Sequence, residues 1–345
     1  MTTADPAHAR ALRLPRDFAL IAVGLDAVLL AVNMAVLLLP GTDDAAQIRR
    51  AYAQAGVWIL LAASTAMSWA LIGGLAWSHG RQALERLGVP RVALSGGARL
   101  RFGGAWLLVL VLNHLALTPL FYELQLMFMP GGRYAEALGG AMPRLSLGLA
   151  ALLQSLVQLA VLVLGLWLAA RFALRRSRSA AAEALDARAP DEVSTVPAGA
   201  SPRAAVALLV GALFASLQVW SALAAARWAG ASQDGGPWAL LLTWALPPVV
   251  ACALAVWGGW LGTRPGLWPV RPFRAVSAAL LSFVLVQLGC IAFAFLWFAL
   301  AVGAVQALQG IGAMAGFMVV LIALYAALTV LLARAMTRRL YRRYL

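Results

Sequence analysis

The sequence predicts an all-α, polytopic integral membrane bundle of about eight transmembrane helices. Three observations predict it. Only 12% of the residues are charged, about half the share found in soluble domains. Mean hydropathy is strongly positive, at +0.85. The apolar residues gather into eight stretches, each near the ~20 residues that a ~30 Å hydrocarbon core requires at ~1.5 Å per residue.

The first stretch, Phe18–Leu39, follows Arg10, Arg13 and Arg16. It is too long for a signal-peptide core, and Leu39-Pro40-Gly41 is not a small-x-small cleavage site, so it reads as span one. Span two, Val57–Trp77, is bracketed by Trp58 and Trp77, whose spacing of ~28 Å along a helix suits the two interfacial belts. Span three, Gly104–Phe128, carries Pro119, which removes a backbone donor and predicts a kink. Span four, Leu147–Ala170, places Gln154 and Gln158 one turn apart on one face. Residues 176–203 then turn polar, with four acids and three prolines, and read as a flexible linker with one short helix over Ala180–Arg188.

Span five is Ala204–Arg227. Span six, Trp238–Leu261, is interrupted near its middle by Pro247-Pro248, which frees backbone carbonyls there. Span seven is Val276–Val302, and span eight is Ile311–Leu332. Three domains follow from this order: a first four-helix half over 1–175, the linker over 176–203, and a second four-helix half over 204–345.

The halves carry matching features. Spans four and eight both exit through A-R-x-x-x-R-R, at Arg171 to Arg176 and Arg334 to Arg339. Trp238 and Trp257 repeat the interval of Trp58 and Trp77. A four-plus-four duplication is therefore expected, in parallel orientation, with a pseudo-two-fold axis along the membrane normal. Chance likeness among apolar helices is the alternative.

The formal charge of +14 invites a nucleic-acid reading, and its placement argues against one. All 27 basic residues are arginine, and 22 of them fall on one side if the spans alternate from the N-terminus. Basic residues stay cytoplasmic, so both termini are expected inside, with the arginines against anionic headgroups of a bacterial cell inner membrane. No nucleic-acid partner is expected. The Arg81 and Glu85 spacing suggests one i,i+4 pair.

A charge near the bilayer centre costs ~3 kcal/mol or more, so polar residues inside spans are informative. Asp26 and Asn33 lie seven positions apart on one face of span one. Asn113 and His114 lie ~15 Å into span three, at a level similar to Asp26. Asp26 and His114 meet if spans one and three are neighbours, and such a pair can hold or relay a proton. The plainer alternative is a neutral Asp26 bonded to Asn33 or to a neighbouring helix, with His114 capped separately. Glu123 sits past Pro119, near the far end of span three. Asp26, Asn33, Asn113, His114 and Glu123 are the expected solute or proton contacts, with helix breaks at Pro119, Pro247 and Pro248.

No catalytic motif, metal-ligand spacing or cofactor-binding loop is present, so no catalytic residue, metal or cofactor is assigned. Cys252 and Cys290 fall inside spans and read as packing residues. Gly73-Gly74, Gly258-Gly259 and Gly312-x-x-x-Gly316 allow close helix approach, within the chain or across a homodimer or other membrane-protein face. The leading reading is a permease-like multi-pass protein moving a small or lipidic solute. A non-catalytic membrane subunit or scaffold is the second reading, and an intramembrane enzyme is the third.

Overall fold

The fold is given by a computed structural model. It describes residues 6–38, 49–50, 52–53, 55–86, 97–128, 132–134, 143–175, 202–229, 237–265, 267, 270–302 and 311–344. Among them the chain is helical, and no strand is present. Eight helices are long and apolar enough to cross a membrane, so the chain is a multi-pass membrane protein of the expected all-α class. Their surfaces expose large apolar side chains, including Val28, Val32, Leu288, Phe295, Val319 and Ile322, as a hydrocarbon solvent allows. The linker expected over 176–203 falls almost entirely outside the described residues.

The helices overrun the expected spans, mainly at the arginine-bearing ends. Span one is helical over Pro6–Leu38 and span two over Ala55–Arg86. Span four runs Pro143–Ala173 and span five Pro202–Ala229. Span seven runs Pro272–Val302 and span eight Ile311–Tyr341. Proline opens spans one, four, five, six and seven, at Pro6, Pro143, Pro202, Pro237 and Pro272. Its missing N–H is an orphan donor at that position in any helix, and its fixed φ suits the first turn.

Spans three and six are each split by a π turn. Span three is Ala98–Leu112, a π turn over Asn113–Leu117, then Thr118–Phe128. Span six is Pro237–Leu240, a π turn over Leu241–Ala245, then Leu246–Gly262. The two turns stand in the same register, each ending two residues before a proline, Pro119 or Pro247. A helical proline clashes with the carbonyl four residues back, and that carbonyl lies inside the π turn in both spans. Pro119, Pro247 and Pro248, where breaks were expected, lie in α-helix just after these π turns.

The contacts divide the chain into two compact units. Unit one is Met1–Gly199 with Gln218–Leu246, and unit two is Ala200–Leu217 with Pro247–Leu345. The division runs through spans five and six as well as through the linker region.

In unit one, span one packs on spans two and three, and span four packs on spans two and three. Phe18 stacks on Phe102 with ring centres 4.1 Å apart. Trp106 is buried and donates Nε1–H to the Ala22 carbonyl at 3.3 Å. Gly165 lets span four reach span three, since a Cβ there would stand 2.7 Å from Val109 Cγ1. Arg99 pairs with Asp17 at 2.6 Å, and Arg81 pairs with Glu85 at 3.1 Å as the i,i+4 spacing suggested. Gln125 donates to Gln154 at 2.6 Å across spans three and four. A double-mutant cycle on Gln125→Leu and Gln154→Leu is expected to give a coupling of about 0.6 kcal/mol. Denaturation midpoints in detergent measure it, and zero coupling would show that the bond contributes nothing to stability.

Unit two is held by glycine contacts and aromatic rings. Span six lays Gly258 and Gly262 against span eight, and Gly259 against Ala207 of span five. Phe214 meets Phe283 edge-on at 5.3 Å. Phe317 of span eight collects Phe293, Trp297 and Phe298 of span seven within 6.0 Å. Tyr341 is fully buried and donates to the Arg271 carbonyl at 2.7 Å, tying the end of span eight to the start of span seven.

Candidate functional site

The site lies wholly within unit one and begins with Asp26. Asp26 stands ~20 Å along the helix from Arg13 and ~15 Å from Val36, near the middle of span one. Its carboxylate accepts a hydrogen bond from Trp69 Nε1 of span two, at 2.9 Å to Oδ2. Both residues are half-buried. The bond joins spans one and two, and the rigid indole fixes the carboxyl group.

Asp26 opens onto a cavity of about 330 Å³. Each helix contributes residues at helical spacing, so one face of each span points inward. Span one supplies Asp26 and Leu30. Span two supplies Ser64, Thr65 and Ser68, then Leu71 and Ile72. Span three supplies Trp106, Val109, Leu110 and Asn113, and span four supplies Gln158, Val161 and Leu162. Trp220, from the part of span five that belongs to unit one, completes the lining. The wall is apolar with a band of hydroxyls, amides and one carboxylate, the usual make-up of a small-molecule site.

Asn113 reaches this wall from the first residue of the π turn. The Thr118 N–H and the Thr118 hydroxyl both donate to the Asn113 carbonyl, the latter at 3.1 Å. The turn therefore satisfies its own backbone while leaving the Asn113 side chain available. Asn113 Oδ1 is buried and has no hydrogen-bond partner. A buried polar atom without a partner in a cavity wall is a place for a ligand group or water. On span two, Ser64 donates its hydroxyl to the Leu61 carbonyl at 3.1 Å, so its oxygen remains an acceptor.

The structure brings Asp26 and Asn113 to one cavity and leaves the other expected contacts outside its lining. Asn33 is half-buried and lies beyond it. His114 follows Asn113 by one residue, which turns it about 100° around the helix, and it is exposed. Asp26 thus finds Trp69 as its partner, while His114 faces away from the cavity lined by Asp26. Glu123 and Pro119 are exposed as well, as is Pro247, whereas Pro248 is buried. Sequence reasoning missed Ser64, Thr65, Ser68 and Trp69. The signal was present in Ser64-Thr65-x-x-Ser68-Trp69, a polar stripe at helical spacing inside an apolar span.

Neither arginine nor histidine lines the cavity, and Asp26 is the one acidic residue in its lining among the described residues. A carboxylate with amides and hydroxyls can bind and orient a partner that carries N–H or O–H groups. The lining holds no second titratable side chain to make an acid–base pair with it. Among the described residues no three His, Cys, Asp or Glu side chains gather at metal-binding distance. No protein-family model, curated protein or solved structure matches the chain.

Proposed function

We propose that this multi-pass membrane protein is a permease that moves a small solute, with the cavity at Asp26 as its binding station. The observation that carries the reading is a cavity of about 330 Å³ whose apolar wall bears a band of polar groups, anchored by a carboxyl group at mid-span. Polar and charged groups at this depth are expensive, and a span that only had to pack would place leucine there. The volume sits at the small end of the ~300–1,000 Å³ range of ligand pockets. A wall rich in acceptors with no cation selects a neutral or positively charged solute that donates hydrogen bonds, and rejects anions. The leucines, valines and isoleucine of the wall accommodate an apolar portion of it.

The π turns supply joints for the movement that transport needs. A π turn is a strained one-turn insertion common at functional sites, and the one in span three starts at a cavity residue. The membrane we propose is the bacterial cell inner membrane, with both termini cytoplasmic, because 22 of the 27 arginines fall on that side. The paired A-R-x-x-x-R-R exits support a parallel four-plus-four duplication. The two π turns lie in spans three and six, which that pairing does not equate. The cavity at Asp26 lies in unit one, which supports an asymmetric solute site. A scaffold subunit, the second reading, requires no such cavity.

Thermal unfolding of the purified protein with propylamine, erythritol or butyrate tests the assignment. A ligand that binds only the folded state raises stability by RT ln(1 + [L]/Kd). The amine, the polyol or both are expected to raise the midpoint in proportion to concentration, and butyrate to leave it unchanged. Stabilisation by butyrate alone would overturn the solute class, and no response to any compound at up to 100 mM would count against a solute site.

A further inference from the structure

Unit two contains no aspartate and no glutamate, yet it carries nine arginines. They are Arg203 at the start of span five, Arg264 after span six, Arg271 and Arg274 at the start of span seven, and five from Arg334 onward. All nine stand at the same end of the bundle. Among the described residues no ion pair neutralises any of them. The charge must be met by anions from outside the unit.

Two of the nine are built into a fixed arrangement rather than left on mobile stems. The Arg274 guanidinium lies 4.8 Å from the Tyr344 ring centre, and Arg271 lies 5.6 Å from the same centre. Arg274 also donates to the Leu340 carbonyl, at the end of span eight. The Tyr341 hydroxyl holds the Arg271 carbonyl from below, inside the core. Arg271 Nε is shielded from water and has no hydrogen-bond partner. Two cations are thus held on one ring against their mutual repulsion, with a donor left unused. That cluster is incomplete without an anion.

We propose that Arg271, Arg274 and Tyr344 form a binding site for the phosphate group of an acidic phospholipid. Guanidinium forks match phosphate geometry, and a tyrosine ring at the headgroup level provides the platform that holds them. The source is lipid rather than soluble phosphate because the cluster caps apolar helices. Exposed Leu281, Leu285 and Leu288 continue down span seven from it, along the path of an acyl chain.

Binding of short-chain phosphatidylglycerol, phosphatidylcholine and inorganic phosphate to the full-length protein in neutral detergent tests the site. Phosphatidylglycerol is expected to bind saturably and at least tenfold more tightly than the other two. Arg271→Gln with Arg274→Gln is expected to weaken it about tenfold. Arg338→Gln with Arg339→Gln removes the same charge at the same end of the unit and is expected to weaken it less than threefold. If the first variant fails to fold, Arg271→Lys with Arg274→Lys keeps the charge, removes the forks, and is expected to weaken binding at least fivefold. Equal binding of phosphatidylcholine, or equal loss in the Arg338 and Arg339 variant, would overturn the proposal by showing general surface attraction. Stronger binding of inorganic phosphate would assign the cluster to a soluble anion instead.

Discussion

Gly258→Leu is expected to abolish folded protein, while Gly316→Ala is expected to leave the unfolding midpoint unchanged or slightly higher. The contrast follows from what a side chain would meet at each position. A Cβ at Gly258 would stand 2.6 Å from the Val330 carbonyl oxygen and 2.9 Å from Ala333 Cβ. One turn further, a Cβ at Gly262 would stand 2.6 Å from the Arg334 carbonyl oxygen. These neighbours are backbone oxygens and an alanine Cβ, none of which a rotamer change can move, so the helices must separate. In hydrocarbon, separation is not resisted by a hydrophobic drive, because lipid tails replace the lost contacts, and close van der Waals packing is what held the pair together. Overpacking by a methyl group costs about 1–3 kcal/mol, and a leucine exceeds the room available altogether. Gly258→Ala is therefore expected to lower stability by about 2 kcal/mol, and Gly258→Leu to remove the monodisperse peak in size-exclusion chromatography. At Gly316 a Cβ meets nothing within 4 Å, and alanine favours helix by about 0.5–1 kcal/mol. If Gly258→Leu folds normally, spans six and eight do not touch through this face.

The same pair of positions shows what the sequence could reveal. Gly312-x-x-x-Gly316 and Gly258-x-x-x-Gly262 have the same spacing in apolar helices, and the spacing alone favours neither. Gly258 and Gly262 press against span eight, while a Cβ at Gly316 would meet nothing within 4 Å, because the outcome depends on which helix lies opposite. Span positions were legible, since eight long apolar runs separated by arginine, glycine and proline leave little freedom. Their ends were not: the first two helical turns of span one carry Arg10 and Arg13, and no hydropathy pattern separates a helix leaving the membrane from a loop. Pro119 and Pro247 were legible as irregular positions, whereas the π turns that precede them depend on where the displaced carbonyls find donors.

The site divides in the same way. Asp26 and Asn113 stood out as polar residues among aliphatic ones, and both line the cavity. His114 stood out equally and faces outward, because a one-residue step on a helix reverses much of what a side chain sees. Trp69 was invisible as a partner, since a tryptophan in a membrane sequence reads first as an interfacial anchor. Its role came from a contact across 43 positions that no local pattern encodes.

Asp26 and Trp69 give the last expectation, in which charge and shape are separated by substitution. Asp26→Asn retains an acceptor oxygen for the Trp69 indole, so folded yield and unfolding midpoint are expected to stay near those of the wild type. Asp26→Leu leaves the indole N–H without a partner, at about 1–3 kcal/mol, and fills part of the cavity. It is expected to lower both stability and binding. A donor group on the solute that bonds to a carboxylate contributes about 1.5–3 kcal/mol, so Asp26→Asn is expected to weaken propylamine binding roughly 10- to 100-fold. Erythritol, being neutral, is expected to lose less. Trp69→Phe removes the clamp while keeping the charge, and is expected to weaken both compounds by similar, smaller factors, because a carboxylate free to rotate binds each donor less well. If Asp26→Asn binds propylamine as the wild type does, the carboxylate is structural, and the cavity serves packing rather than recognition. If Asp26→Asn unfolds the protein while Asp26→Leu does not, the bond to Trp69 is not what holds span one to span two. The two substitutions thus assign the charge at the centre of span one either to a solute or to the fold.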